Sequence, residues 1–286
     1  MKRSTQIGIV SGALVLLLGV GMALLLSKAE KYPDGLSWKA FDSYWSVESE
    51  SPDYRVEFVG EGVEITAPKG LTMWYRKPVE APCVIEYDAR VMQEREGDRL
   101  SDLNCFWMAS DPAAEDVFAR AAERGGKFAN CATLQLYYVG YGGNYNSTTR
   151  FRRYNGMPDP ALLQEYTDPA HLLEANRWYH IRLVCGAPAG SDNSVMAGSD
   201  RPSMRVEYWI DGERLFDYTD PTPLASGWFG FRTTLSRTQF RGFRITQTRH
   251  SPTPITLSRY SPTRITLSRH SPTPIGESQS DSVSTN

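Results

Sequence analysis

Phenols, amides and guanidinium groups crowd one stretch of this chain, Cys131 to Gly156. Gln135 and Tyr137 stand two apart, which puts them on one face of a strand. Tyr141, Asn144, Tyr145, Arg150, Arg152, Arg153 and Tyr154 follow, spaced around Gly140, Gly142 and Gly143. Aromatic faces, amides and planar cations on a glycine-rich turn suit sugar rings and carboxylates. Tyrosine and histidine can carry a proton, while arginine, asparagine or glutamine can steady a carboxylate. Those are the needs of an elimination at a uronic acid. Tyr137 is the expected acid or base, with Gln135, Asn144 and Arg152 holding the carboxylate. The plainer alternative is a solvated sheet face, with Arg152 and Arg153 in weak surface ion pairs. Alternation places Arg150 and Arg152 together and turns Arg153 the other way.

Other residues offer other chemistry. In Trp178–Cys185 the apolar Tyr179, Ile181 and Leu183 face a core, so His180 points away and is a candidate base. Glu86 and Asp88 share a strand face at a spacing that would serve paired-carboxylate hydrolysis. A pure binding role needs no proton carrier: Trp74, Trp107, Tyr141 and Tyr145 could stack on sugars, with Arg76, Asn144 and Arg150 reading polar groups. Trp74 and Trp107 serve equally well as core. His171 and His180 are too far from other ligand types for a zinc site. No cofactor is expected; a structural calcium ion held by Asp and backbone oxygens stays open.

The elements that must position these side chains read mostly as strands. Val56–Val59 and Val63–Thr66 flank a Gly60-Glu61-Gly62 turn. Leu71–Arg76, Cys83–Met92, Leu103–Ala109, Leu134–Val139 and Arg150–Tyr154 come next. Trp178–Cys185, Met204–Ile210, Arg214–Tyr218, Trp228–Thr233 and Phe240–Ile245 complete the set, with Asp211-Gly212 as a tight hairpin signal. Three Asp-Pro pairs, at Asp111, Asp159 and Asp168, predict short helices, the first running to Arg124 and stopping at Gly125-Gly126. Residues 187–203 read as an exposed loop. The pattern predicts an all-β, two-sheet antiparallel sandwich of the jelly-roll kind with a few short helical insertions.

The ends differ from this body. An uncharged apolar run from Ile7 to Leu26 follows Lys2 and Arg3. It is read as a signal peptide or membrane anchor over 1–29, with the sandwich over 32–247 exported in either case and held at the membrane if the segment stays uncut. Residues 248–286 carry a ten-residue repeat, Arg-His-Ser-Pro-Thr-Pro-Ile-Thr-Leu-Ser at its start, and are expected to form an extended tail. A formal net charge of −2 argues against a nucleic-acid partner. The four cysteines form no Cys-x-x-Cys motif. Either Cys105 pairs with Cys131 or the thiols are free and buried.

The segments Trp178-Tyr-His-Ile-Arg-Leu-Val, Val206-Glu-Tyr-Trp-Ile-Asp-Gly-Glu-Arg-Leu and Gly227-Trp-Phe-Gly-Phe-Arg232 resemble the closing strands of concanavalin A-like domains. The block Tyr138–Tyr154, with Trp74-Tyr-Arg-Lys-Pro78 and Asn104-Cys-Phe-Trp-Met-Ala-Ser-Asp111, resembles an uncharacterised bacterial family related to YesU-like domains of polysaccharide-utilisation loci. The resemblance runs from Leu36 to Gln247. It implies a glycan partner and transfers no catalytic residue. Gln135-x-Tyr137 is also similar to the Gln-x-His of β-sandwich alginate lyases, with tyrosine where histidine would be. The combined expectation is an exported carbohydrate-active protein acting on an acidic polysaccharide, a lyase before a lectin-like module or a hydrolase.

Overall fold

The computed structural model describes residues 41–60, 62–186 and 203–247. Among them are thirteen strands: β1 (Trp45–Ser49), β2 (Arg55–Val59), β3 (Gly62–Tyr75), β4 (Val79–Glu80), β5 (Cys83–Met92), β6 (Leu103–Ser110), β7 (Gln135–Gly142), β8 (Thr148–Asn155), β9 (Ala161–Tyr166), β10 (Tyr179–Cys185), β11 (Met204–Ile210), β12 (Glu213–Asp220) and β13 (Ser226–Gln247). Their pairings are antiparallel.

Two long strands build both layers. The first part of β13 pairs with β6 and the second part with β5, while β3 runs beside β13 from Gly230 to Arg241. One layer is therefore β9-β8-β7-β6-β13-β3-β1. The other is β12-β11-β10-β5-β13-β3-β2. The two expected strands Trp228–Thr233 and Phe240–Ile245 are halves of the single β13. Its register shifts between Thr234 and Ser236, where Leu235 adopts φ 50°. That bend lets one strand pass from layer to layer, as bulges commonly do at sandwich corners.

The layers close on aromatic side chains. Trp107 on β6 meets Tyr208 on β11 at 6.5 Å between ring centres, and Phe151 on β8 meets Phe216 on β12 at 5.6 Å. Strict alternation on β5 sends Ile85, Tyr87, Ala89 and Val91 inward and Glu86, Asp88 and Arg90 outward. β7 is different, because both of its faces are covered. Tyr137, Val139 and Tyr141 join the inter-layer core. Leu136 and Tyr138 join a second cluster with Trp74, Phe106, Val117, Cys131, Leu134 and Tyr154. The 111–133 segment folds back over that outer face and makes a wall there.

Two expected helices are corrected. Only Ala121–Arg124 of the first is α-helical, and it does stop at Gly125-Gly126, both left-handed. Asp111 caps no helix. Its carboxylate accepts the backbone N–H of Ala113 and pairs with Arg120 and Arg124, which holds the preceding residues in turns. Beyond Asp159-Pro160 the chain is strand β9, because the open edge of β8 offers backbone partners from Thr149 to Arg153. Asp168-Pro169 opens a single 3-10 turn. The four thiols are free and buried, and no Cys105–Cys131 disulfide forms: Cys105 lies in the inter-layer core and Cys131 in the outer cluster. Among the described residues no helix is long and apolar enough to cross a membrane. The apolar run Ile7–Leu26, the repeat tail and the expected loop over 187–202 lie outside the described residues.

Candidate functional site

Cross-strand register builds the site. Arg232, Asn104, Gly140, Arg150 and Glu165 face one another in a row across β13, β6, β7, β8 and β9. The next row is Gly230, Phe106, Tyr138, Arg152 and Leu162. Their chain neighbours Phe231, Cys105, Val139 and Phe151 point into the inter-layer core. Alternation therefore directs both rows to the outer face of this layer. Over them lies an open groove of about 520 Å³. Phe128, Ala129, Asn144, Thr148 and Pro160 are among the residues that line it.

The floor is phenolic and cationic. Gly140 leaves room for the Tyr138 ring to cross it: a Cβ at Gly140 would strike the Tyr138 hydroxyl and sit 2.9 Å from its Cζ. Burial, helped by Tyr154 and Asp102, drives the Tyr138 phenol well above its ordinary pKa. It is therefore a neutral hydrogen-bond donor. Tyr154, also raised by burial, behaves likewise. Asn104 is buried. Its Nδ2 donates to Asp102 Oδ1 at 3.2 Å, and its Oδ1 has no partner.

Arg152 donates to the Pro160 carbonyl at 3.1 Å and forms no ion pair among the described residues. Arg150 pairs with Glu165. Arg232 is only 1% exposed. Its Nη1 donates to Thr72 Oγ1 and the Gly126 carbonyl, its guanidinium lies over Phe128, and its Nε has no partner. Glu50 approaches Arg232 across Gly70 without reaching ion-pair distance. Among the described residues Asp102 is the one carboxylate lining the groove, and Arg99 holds it at 2.9 Å.

The expected residues divide sharply. Asn144, Arg150, Arg152 and Tyr154 line the groove together. Tyr137, expected to act as acid or base beside Arg152, is opposite Arg153, and Tyr138 is opposite Arg152. Tyr137 is wholly buried. Its hydroxyl donates to Asp220 Oδ2 at 2.6 Å and accepts the Leu224 N–H. Burial first, then the Asp220 carboxylate, raises its pKa, and its proton is committed to Asp220 away from the groove. Gln135 sits at the start of β7 on that same side, outside the groove. Arg153 forks Asp220 and the Thr222 carbonyl.

Trp107 is core, packed between Tyr137 and Phe151. Tyr141 donates to the Leu172 carbonyl and meets Tyr179 edge-on. Arg76 donates to the Trp45 carbonyl. Tyr145 projects into solvent beside the groove's end. His180 lies on the outer face of the other layer, its Nδ1 2.8 Å from Asp88. There Glu86 pairs with Arg244 and Asp88 with Arg241. Those carboxylates are neutralised in a cross-strand ladder and are not a catalytic pair for the groove. Tyr138, Asn104 and Arg232 were not foreseen. Gly140 was their signal, since a bare backbone between two chemistry-bearing strands marks a close approach. Among the described residues no group of three or more His, Cys, Asp or Glu is placed to hold a metal ion.

The model of one family, a domain of unknown function designated DUF6250, matches residues 65–243. No curated protein matches the chain. Among solved structures it is similar to a protein of unknown function with a galectin-like fold from Bacillus subtilis, at 15% identity and TM-score 0.56, covering 76% of this chain and 94% of that one. It is also similar to the metal-free carbohydrate recognition domain of Emp46p, at 12% identity and TM-score 0.50, covering 77% of this chain and 97% of that one. These likenesses establish the galectin-like jelly-roll fold.

Proposed function

The chain belongs to the DUF6250 family, and from its groove we propose that it is an exported carbohydrate-active protein that takes an acidic polysaccharide. One observation carries the reading. Among the described residues Arg150, Arg152 and Arg232 line the groove with Asp102; Arg150 is paired with Glu165, whereas Arg152 has no ion pair. A half-buried guanidinium without a counter-charge is best satisfied by an anion from outside. Phenol faces and a free amide oxygen suit the rest of a sugar ring. The fold shared with the Emp46p carbohydrate recognition domain supports the sugar half of the reading, and the groove's charge supports the acidic half. The relation to YesU-like domains belongs to the same proposal.

The finer reading is cleavage by β-elimination at a uronate, favoured by Tyr138 lying among Arg150, Arg152, Arg232 and Asn104. In that reaction a base removes the proton at C5, the bond from C4 to the leaving oxygen breaks, and an acid protonates that oxygen. Arginine and Asn104 would steady the carboxylate as charge develops. Tyr138, neutral and aimed over Gly140, would supply the proton to the leaving oxygen.

The test incubates the full chain with pectate, alginate and ulvan. A rise in the ultraviolet absorbance of unsaturated uronates, abolished by Tyr138→Phe, supports the lyase. Binding without a rise, lost in Arg152→Ala, supports a binding module for acidic glycans. Affinity for neutral glycans alone would sink both.

A further inference from the structure

Nine non-glycine residues among those described have left-handed backbone, and five of them gather at one corner of the groove: Asp102 (φ 66°), Asn144 (53°), Tyr145 (60°), Asn146 (56°) and Leu235 (50°). Arg99 ties the corner together. Its Nη2 donates to Asp102 Oδ2 at 2.9 Å, and its Cζ lies 4.0 Å from the Tyr145 ring centre. Its Nη1 donates to the carbonyl of Thr234, the residue before Leu235, at 3.5 Å. Asn146 pins the loop from below. Its amide accepts the N–H of Leu173 at 2.8 Å and donates to the Leu173 carbonyl at 2.9 Å.

Asparagine and aspartate enter the left-handed region readily, whereas tyrosine and leucine do so at a cost. Both also leave much of their apolar surface in water, Tyr145 at 74% and Leu235 at 45% exposed. Apart from the contact of the Tyr145 ring with Arg99, neither the backbone nor burial is served by these two side chains. Strain held in place by a rigid frame is typical of residues kept for what they contact. The corner is continuous with the groove, because Asp102, Asn144 and Thr234 line it. Arg99 has its charge matched by Asp102, so the corner offers an aromatic face rather than a further cation.

We propose that Tyr145, held over Arg99, forms an aromatic ledge on which a sugar ring of the same acidic glycan rests as the chain leaves the groove. The inference builds on the acidic-glycan reading and adds to it a subsite that senses chain length. The C–H face of a pyranose ring packs on an aromatic face without regard to charge. The ledge therefore reads length, while Arg152 reads acidity.

The experiment uses the full chain with oligogalacturonates and oligoalginates of two and of six units. In Tyr145→Gly the ring is gone and the backbone is relaxed. The expected result is about a tenfold loss of affinity for the six-unit ligand. Affinity for the two-unit ligand stays within about twofold, and the melting temperature does not fall. Tyr145→Trp restores the six-unit affinity. Unchanged six-unit binding in Tyr145→Gly overturns the ledge. So does a melting temperature lowered by more than about 4 °C, since the ring would then be a structural contact. Wild-type protein that binds none of the acidic oligomers removes the groove reading itself, a result distinct from a loss confined to the variant.

Discussion

The phenol of Tyr138 lies across Gly140, its neighbour two residues on, so a bare position on β7 is roofed by the tyrosine that this strand turns outward. Gly140→Ala would push that ring, because the colliding atom is the far end of a side chain and not backbone. The expected outcome is a folded protein destabilised by about 1–2 kcal/mol, as for modest overpacking. Binding or turnover of acidic glycan falls with it. Thermal melting and glycan titration of the same sample check this; full activity would show that the ring's position over Gly140 is immaterial.

Arg152 and Arg153 are adjacent in the chain and opposite in role. Arg152→Ala removes a groove cation that no carboxylate depends on, so stability should change by less than about 0.5 kcal/mol while acidic-ligand affinity drops at least tenfold. Arg153→Ala strips a buried carboxylate, Asp220, of its cation. With Tyr137 still donating to Asp220, the expected loss is about 2–3 kcal/mol of stability. Denaturant melts of both variants separate the two roles, and equal destabilisation would contradict the assignment.

Acid sensitivity has identifiable sources. The Arg237 guanidinium holds the Asp98 carboxyl well below the usual carboxylate range, opposed by burial and helped by the N–H groups of Glu94 and Arg95. Burial would raise Asp220, but the hydrogen bonds from Tyr137, Thr222 and Arg153 outweigh it and lower its pKa. A carboxylate depressed in the folded state stabilises fully above its unfolded pKa of about 3.9 and loses that contribution as pH falls toward the folded value. Melting temperature should therefore be flat in these groups above about pH 5 and decline below about pH 4. Asp98→Asn should melt lower at neutral pH, and its deficit relative to the wild type should shrink as pH falls below about 4. Parallel curves would exclude Asp98 as a source.

Burial pushes the Cys105 thiol up to about 12 and Cys131 up to about 11. Burial also raises Cys185, next to Cys83 across β10 and β5. Thiolate is the reactive form. Native protein should leave all four cysteines unlabelled by a maleimide over an hour, with four labels appearing once it is unfolded. Labelling in the native state would place a thiol at the surface.

Much of the architecture is legible in the sequence. The strands Cys83–Met92 and Met204–Ile210 agree with their sequence patterns to the residue. The hairpin at Asp211-Gly212 follows from two positions that accept positive φ. These are local matters of side-chain period and backbone preference. The helix expected after Asp159-Pro160 failed for a non-local reason: an unpaired edge of β8 was available, and pairing with it outweighed the cap.

Period two sorts β7 into two sets, Tyr137 with Val139 and Tyr138 with Gly140, and each set contains a tyrosine that could be wet or dry. The sequence by itself determined that the two sets are segregated, since neighbours on a strand must point apart. Only the tertiary structure decided which set faces the groove. That choice depends on what packs from above and below: the opposite layer brings Asp220 to Tyr137, while β13 and the folded-back 111–133 segment bring Arg232 and Phe128 beside Tyr138. Those partners are distant in sequence, and no alternation within one strand contains them.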